Sequence, residues 1–424
     1  MSQVCRLALF AGLSLALLPH TAAQEWARFR GPNGTGLSDA TTVPTTWTEK
    51  DYNWVAELPG EGHSSPVIWG GKIFLTSANE ETAERYVLCI NAADGETVWK
   101  KDYPSEKHHK HLHNTFASAT PAVDEDHVYV TWSSPQQYTL LALDHNGREV
   151  WNRDLGPFVS QHSCGTSPIV YEDLVVLGNE QDGEMEGNTP GKSFLIAVDR
   201  KTGQTRWQVE RSSDVVAYST PCVYQPEGGK PQLIFNSKAH GISSIDPATG
   251  KINWEVGGLL DKRSCSSSLL ADGLFIASCG SGGGGNYLVA VHPGDTGKSD
   301  AGQLAYRVDK SAPYVPTPIA KGKHLFMWSD KGVATCLKAA TGEILWQERV
   351  GGNFFGSPIC VGDRLYNISV DGVVVVIAAS ENYNMLAQNP LGEKSHSTPA
   401  AANGTLYLRT VSHLYSLGGK QSAE

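Results

Sequence analysis

Short apolar runs of strand length recur from one end of this chain to the other, bounded by glycine, asparagine or aspartate. Runs such as Lys72-Ile73-Phe74-Leu75 and His127-Val128-Tyr129-Val130-Thr131 alternate with the two-residue period of half-buried strands. Hairpin turns stand before several of them, clearest at Gly70-Gly71, Asp272-Gly273, Gly362-Asp363 and Asn403-Gly404. The pattern predicts an all-β chain of short antiparallel strands.

Self-similarity organises these strands. One element reads small-Ser/Thr-Pro-apolar, followed by a turn and an apolar strand. It occurs at Ser64-Ser65-Pro66-Val67, Ala119-Thr120-Pro121-Ala122, Thr166-Ser167-Pro168-Ile169 and Ser219-Thr220-Pro221-Cys222. It returns at Ser266-Ser267-Ser268-Leu269, Pro316-Thr317-Pro318-Ile319, Gly356-Ser357-Pro358-Ile359 and Ser397-Thr398-Pro399-Ala400. A second element, Ala-apolar-Asp-x-x-Thr-Gly-x-x-x-Trp, ends most repeats. It is clearest from Ala197 to Trp207 and from Ser244 to Trp254, with variants ending at Trp99, Trp151 and Trp346. Its Asp can cap the turn, its Gly supplies positive φ, and its Trp returns as an apolar plate between neighbouring sheets. Tyr306 and Leu386 are expected to take the Trp place in repeats five and seven.

Eight such units of about four strands close most naturally as an eight-bladed β-propeller; an open β-solenoid is the rival. The eighth unit stops at Tyr415-Ser416-Leu417 without a Trp strand, and a matching orphan strand begins at Asn53-Trp54. Pairing the two predicts ring closure by the N-terminal strand. The expected organisation is a signal peptide at 1–23, a leader at 24–52 and the propeller at 53–424.

Composition narrows the function. The chain has 424 residues and a formal net charge of -10, with no sizeable basic block, which argues against a nucleic-acid partner. Arg6, the apolar run Leu7 to Leu18 and Thr21-Ala22-Ala23 read as a cleaved export signal, so a secreted or periplasmic location is expected, with no later membrane span and a monomeric chain. Beyond that segment lie Cys89, Cys164, Cys222, Cys265, Cys279, Cys336 and Cys360. Their odd number and the lack of any C-x-x-C predict mostly unpaired packing thiols.

The Thr-Gly-x-x-x-Trp element resembles the tryptophan-docking motif of pyrroloquinoline quinone (PQQ)-type propellers. That superfamily includes quinoprotein alcohol dehydrogenases and the propeller lipoprotein of the outer-membrane β-barrel assembly machinery. The leader Glu25-Trp26-Ala27-Arg28-Phe29-Arg30-Gly31-Pro32-Asn33-Gly34-Thr35-Gly36 is similar to secreted planctomycete-type members. The quinoproteins carry a vicinal disulfide and long insertions that hold a calcium ion. This chain has no Cys-Cys pair, and repeats averaging about 50 residues leave little room for insertions.

Candidate binding residues lie in the inter-repeat loops, which form a funnel at one mouth of a propeller. His63, His162, Tyr218, Tyr314, Phe354, Phe355 and His396 are the expected lining, and His63 and His396 adjoin once the ring closes. His108, His109, His111 and His113 crowd one loop and are weak metal candidates, better read as a solvated loop. Asn179-Glu180-Gln181-Asp182-Gly183-Glu184 reads as an exposed acidic loop. Gly297-Lys298-Ser299 ends like a P-loop but lacks its first Gly, so nucleotide binding is rejected. No catalytic residue is assigned. The preferred reading is a non-catalytic binding or assembly scaffold with a protein or cell-envelope partner and no cofactor. The alternative is a dehydrogenase that uses PQQ with calcium to oxidise an alcohol or sugar.

Overall fold

A computed structural model describes residues 25–185, 187–294 and 302–419. The export-signal and P-loop-like segments lie outside the described residues. Eight sheets form the blades of a propeller. Blade one comprises Val67–Trp69, Lys72–Ala78, Arg85–Asn91 and Thr97–Tyr103, hydrogen bonded in that order. The short first strand of each blade lines the central channel, and the fourth lies at the rim.

Burial explains the alternation seen along the sequence. Second and third strands are covered on both faces, as in Gln232–Ser237, where every residue is buried. Fourth strands are mostly exposed: in Thr205–Glu210 only Trp207 is buried. The core is therefore a circle of sandwiches between adjacent blades rather than one central mass. Most bury an apolar cluster of their own, such as Phe74, Val87, Val128 and Leu141 between blades one and two.

Tryptophan docking joins several blades to the next. Trp99 Nε1 donates to the His145 carbonyl, Trp151 to Arg200, Trp207 to Pro247 and Trp346 to Ser380. Each of the first three rings covers the glycine of the next blade's turn; a Cβ on Gly203 would stand 2.7 Å from the Trp151 ring. Only glycine allows that approach. Trp254 departs from the pattern, donating to Gln232 Oε1 within its own blade. Tyr306 does take the Trp place, its hydroxyl on the Ala339 carbonyl. Leu386 does not. The turn before this strand is one residue longer than in its neighbours, its closing bond running from Ala378 N–H to the Asn384 carbonyl. Ala387, not Leu386, therefore stands opposite Val376, and the expected assignment was one residue off.

The Ser/Thr-Pro element forms a hydrogen-bonded belt around the channel. Ser65 N–H donates to Thr120 Oγ1 and Thr120 N–H to Ser167 Oγ. Further links run from Thr220 to Ser267, Thr317, Ser357 and Thr398, and from Thr398 back to Ser65 Oγ, at 2.9–3.1 Å. The hydroxyl accepts what one blade's backbone offers the next. The following proline has no N–H to leave unpaired in the channel.

Blade eight combines Ala400–Ala402, Thr405–Arg409 and His413–Gly418 with Tyr52–Glu57, which pairs antiparallel to the third of these. Trp54 Nε1 donates to the Ala92 carbonyl of blade one, and its ring covers Gly95. Before that strand, the leader enters the channel through the mouth built from tight turns. Trp26 bridges Ile68 of blade one, and Leu37–Ser38 adds a parallel fifth strand beside Ile359–Val361 of blade seven. Trp26, Val43 and Trp47 are buried in one cluster with residues of blades seven, eight and one.

All seven described cysteines are free. Cys89 and Cys336, each 0% exposed, fill the small position opposite Trp99 and Trp346, and burial pushes both thiols up to about 12. Among the described residues, no helix is long and apolar enough to cross a membrane.

Candidate functional site

The leader closes one mouth of the channel, so the open face is the mouth formed by the inter-blade loops. Each loop delivers its residues just before the Ser/Thr-Pro belt, whose hydrogen bonds hold the loop ends at constant radius. His63 and His396 enter from blades one and eight, and their rings lie 4.3 Å apart. Phe355, from the loop before blade seven, stands 4.9 Å from His396.

The loop after blade one reaches inward over this mouth and joins two groups that looked separate in the sequence. His113 packs 5.2 Å from Phe355, and its carbonyl accepts from His396 Nδ1 at 3.3 Å. His111 stacks on His162 at 4.3 Å, and His162 meets the edge of Tyr218 at 6.3 Å. An arc of rings therefore runs from His63 through His396, Phe355 and His113 to His111, His162 and Tyr218. The expected solvated loop is instead partly seated on the funnel residues.

Four imidazoles of the arc, those of His63, His111, His162 and His396, are pushed toward the neutral form, with burial the largest cause for each. It lowers His63 well below the usual value, aided by the charges of His396 and Arg409. His162 falls to about 4, with Arg263 adding to the effect of burial, and His396 falls to about 4 against an opposing bond to the His113 carbonyl. Geometry agrees: Arg263 Nη1 donates to His162 Nε2 at 2.8 Å, which requires the neutral tautomer. An imidazole held neutral in the fold stabilises above its unfolded value near 6.5 and loses that stability as pH falls toward 4. The melting midpoint is accordingly expected to drop between pH 6.5 and 4, and less steeply in a His63→Gln/His396→Gln variant. Parallel pH profiles for the two proteins would refute this.

Two expectations need correction. Phe354 is not at the mouth: it is 0% exposed and packs 5.4 Å from Trp328, because its N–H is anchored to the Asp330 carbonyl. Asn179-Glu180-Gln181-Asp182 is not exposed but buried, since its polar groups supply what the neighbouring backbone needs. Gln181 Oε1 accepts from Val159 N–H, and Asp182 accepts from Gln161 and Val216 N–H. The imidazoles of His108, His109, His111 and His113 do not converge: His108 turns to Phe116, and no group of three metal-binding side chains forms among the described residues.

Several site residues carried no sequence signal of their own. Arg263 bridges His162 and Asp182, the latter at 3.3 Å. Asp330 fastens the Tyr314 lead-in through the N–H groups of Tyr314 and Val315, at 2.7 and 3.0 Å. Tyr314 itself is buried beside Arg263 and Cys265. In sequence Arg263 is one of an adjacent pair of cations, Lys262-Arg263, with nothing to single it out.

These groups do not fit a calcium–quinone pair. Calcium takes six to eight oxygen ligands. Here the carboxylates of Asp182 and Asp330 are already committed to backbone N–H groups and, for Asp182, to Arg263. The described cysteines include no vicinal disulfide.

Known proteins share this architecture. BamB from Moraxella catarrhalis matches with a TM-score of 0.58 at 15% identity, covering 91% of this chain and 98% of that one. Quinohemoprotein alcohol dehydrogenase from Comamonas testosteroni matches at 0.64 and 12% identity, covering 94% and 81%. At these identities the likeness is one of fold. In sequence, tetrathionate hydrolase of Acidithiobacillus ferrooxidans is 24% identical over 180 residues, 39% of this chain and 32% of that protein. An uncharacterized protein of Rickettsia conorii is 25% identical over 202 residues, 47% of this chain and 42% of its own length. The chain thus spans less than half the length of these two relatives. The sequence profile described as outer membrane protein assembly factor BamB matches residues 32–214 and 243–420. With its blades, docking tryptophans and belt accounted for, this chain belongs to that family of PQQ-like propellers.

Proposed function

We propose that the protein is an extracytoplasmic scaffold that binds a protein or cell-envelope partner at the loop mouth, without catalysing a reaction. One observation carries this reading: the mouth offers an arc of imidazole and aromatic faces, while the carboxylates of Asp182 and Asp330 are tied to backbone and, for Asp182, to Arg263. Such a surface stacks on side chains and exchanges hydrogen bonds with them, and the carboxylates of Asp182 and Asp330 are held by partners of their own. Family membership supports the reading, since the profile is named for an assembly factor. The export-like N-terminal sequence supports the location.

The test adds PQQ and calcium to the purified protein and follows quinone absorbance and dye-linked oxidation of ethanol and glucose. Neither saturable binding nor turnover is expected; turnover would replace the scaffold reading with the dehydrogenase. A second arm selects peptides by display on the immobilised chain. Replacing His63 and His396 together with Ala should weaken the selected peptides more than tenfold. Undiminished binding would move the site elsewhere.

A further inference from the structure

Buried and nearly buried arginines among the described residues, with two exceptions, pair with a carboxylate or make two or more hydrogen bonds. Arg85, for example, donates to the Ala83 and Ser133 carbonyls, although Nε of Arg85 and of Arg409 has no acceptor. Arg211 meets Glu180 and Glu255, and Arg200 meets Asp124 and Glu125. Arg409, without a contacting carboxylate, donates to Ser64, Thr76 and Ser77 oxygens.

The exceptions are in the leader. Arg28 and Arg30 lie inside the channel, 7% and 1% exposed. Each makes one hydrogen bond, Arg28 Nη2 to the Pro221 carbonyl at 2.5 Å and Arg30 Nη2 to the Pro318 carbonyl at 2.7 Å. Nε of Arg28, Nε and Nη1 of Arg30 and Nε1 of Trp26 are buried donors without an acceptor. No carboxylate among the described residues pairs with either guanidinium. Burial lowers Arg28 to about 10 and Arg30 to about 9, the second further reduced by the charge of the first, so both stay cationic at neutral pH. Two like charges buried in the channel are costly unless a counter-charge joins them.

We propose that Arg28 and Arg30 hold a small inorganic anion, a halide or a tetrahedral oxyanion, inside the channel between the leader and the inner strands of blades four to six. Guanidinium forks suit such ligands, and the orphaned donors of Arg28 and Arg30 are the groups it would satisfy. The anion then couples leader docking to ionic conditions: it neutralises the segment that closes this mouth. This inference is independent of the function proposed for the opposite mouth.

Crystals of the full chain grown with bromide should show an anomalous peak within hydrogen-bonding reach of Arg30 Nε and Nη1. Native protein, desalted and then denatured, should release about one anion per chain on ion chromatography. At fixed ionic strength, sulfate and phosphate should raise the melting midpoint saturably, and Arg28→Gln/Arg30→Gln should abolish that dependence. If this variant does not fold, the bromide and release measurements on the native chain decide the matter. Water alone at the guanidiniums overturns the proposal. So does a bromide peak without anion release, because the site would then fill only at crystal concentrations.

Discussion

A chain lacking residues 24–58 should fail to fold cooperatively, rather than fold without its leader. The deletion removes the fourth strand of blade eight, so His413–Gly418 becomes an unpaired edge. It also removes Trp26 and Trp47, 0% and 7% exposed, and the Trp54 ring that docks on blade one. Loss of a buried tryptophan costs about 3–5 kcal/mol, so two of them approach the 5–15 kcal/mol that holds an ordinary domain together. Circular dichroism and light scattering should report a broad melt and association. Two point variants separate the causes: Trp54→Ala tests the joint between blades, and Trp26→Ala tests the channel. A truncated chain that melts as a sharp monomeric transition near the full-length midpoint would refute both roles.

Replacing Arg211 with Met is expected to be the most damaging conservative-volume substitution in the blades. Its guanidinium joins blade three to blade four, donating to Glu180 Oε1, Glu255 Oε2 and Ser243 Oγ, each at 3.0 Å. The side chains of Arg211 and Glu180 are 0% and 4% exposed. Removing one member leaves a buried carboxylate uncompensated, at about 3–5 kcal/mol, or a midpoint shift on the order of 5 °C for a chain of this size. Converting Glu180 to Gln in the same chain should restore most of the loss, because the stranded charge disappears. A single variant within 1 °C of the native midpoint would show the network to be dispensable; that limit is about the scatter of surface changes.

The same network has a pH signature. Burial alone would raise Glu255, but hydrogen bonds from His240 and Ser243 and the charge of Arg211 outweigh it and hold the carboxyl at about 2. A depressed carboxylate stabilises the fold above its unfolded value near 4.5, and that contribution is lost as pH falls toward 2. Arg211→Met should therefore flatten the acid limb of the stability curve as well as lower it.

Much of this architecture was legible in the chain because it is repetitive. Each blade is a local unit whose turn, docking Trp and Ser/Thr-Pro step recur at similar spacing, so eight weak signals reinforce one another. The orphan strand at Trp54 could be matched to blade eight because a repeat with a missing part names what it lacks. Leu386 shows the limit: without the Thr-Gly signature, nothing in blade seven reveals that its turn holds one residue more than its neighbours.

The mouth and the channel were less legible because their contacts join segments far apart in sequence. His111 and His162 become neighbours through the path of a long loop, and Phe354 and Phe355 part company because one backbone bond to Asp330 decides which ring turns inward. Asp182 looked solvated in a polar stretch, yet the ring buries it where Gln161, Val216 and Arg263 need an acceptor. Nothing in the local sequence marks Arg28 and Arg30 for burial. Closure of the propeller around them turned two surface-type residues into the least compensated cations of the fold, since burial and pairing are properties of the assembled ring rather than of any local stretch.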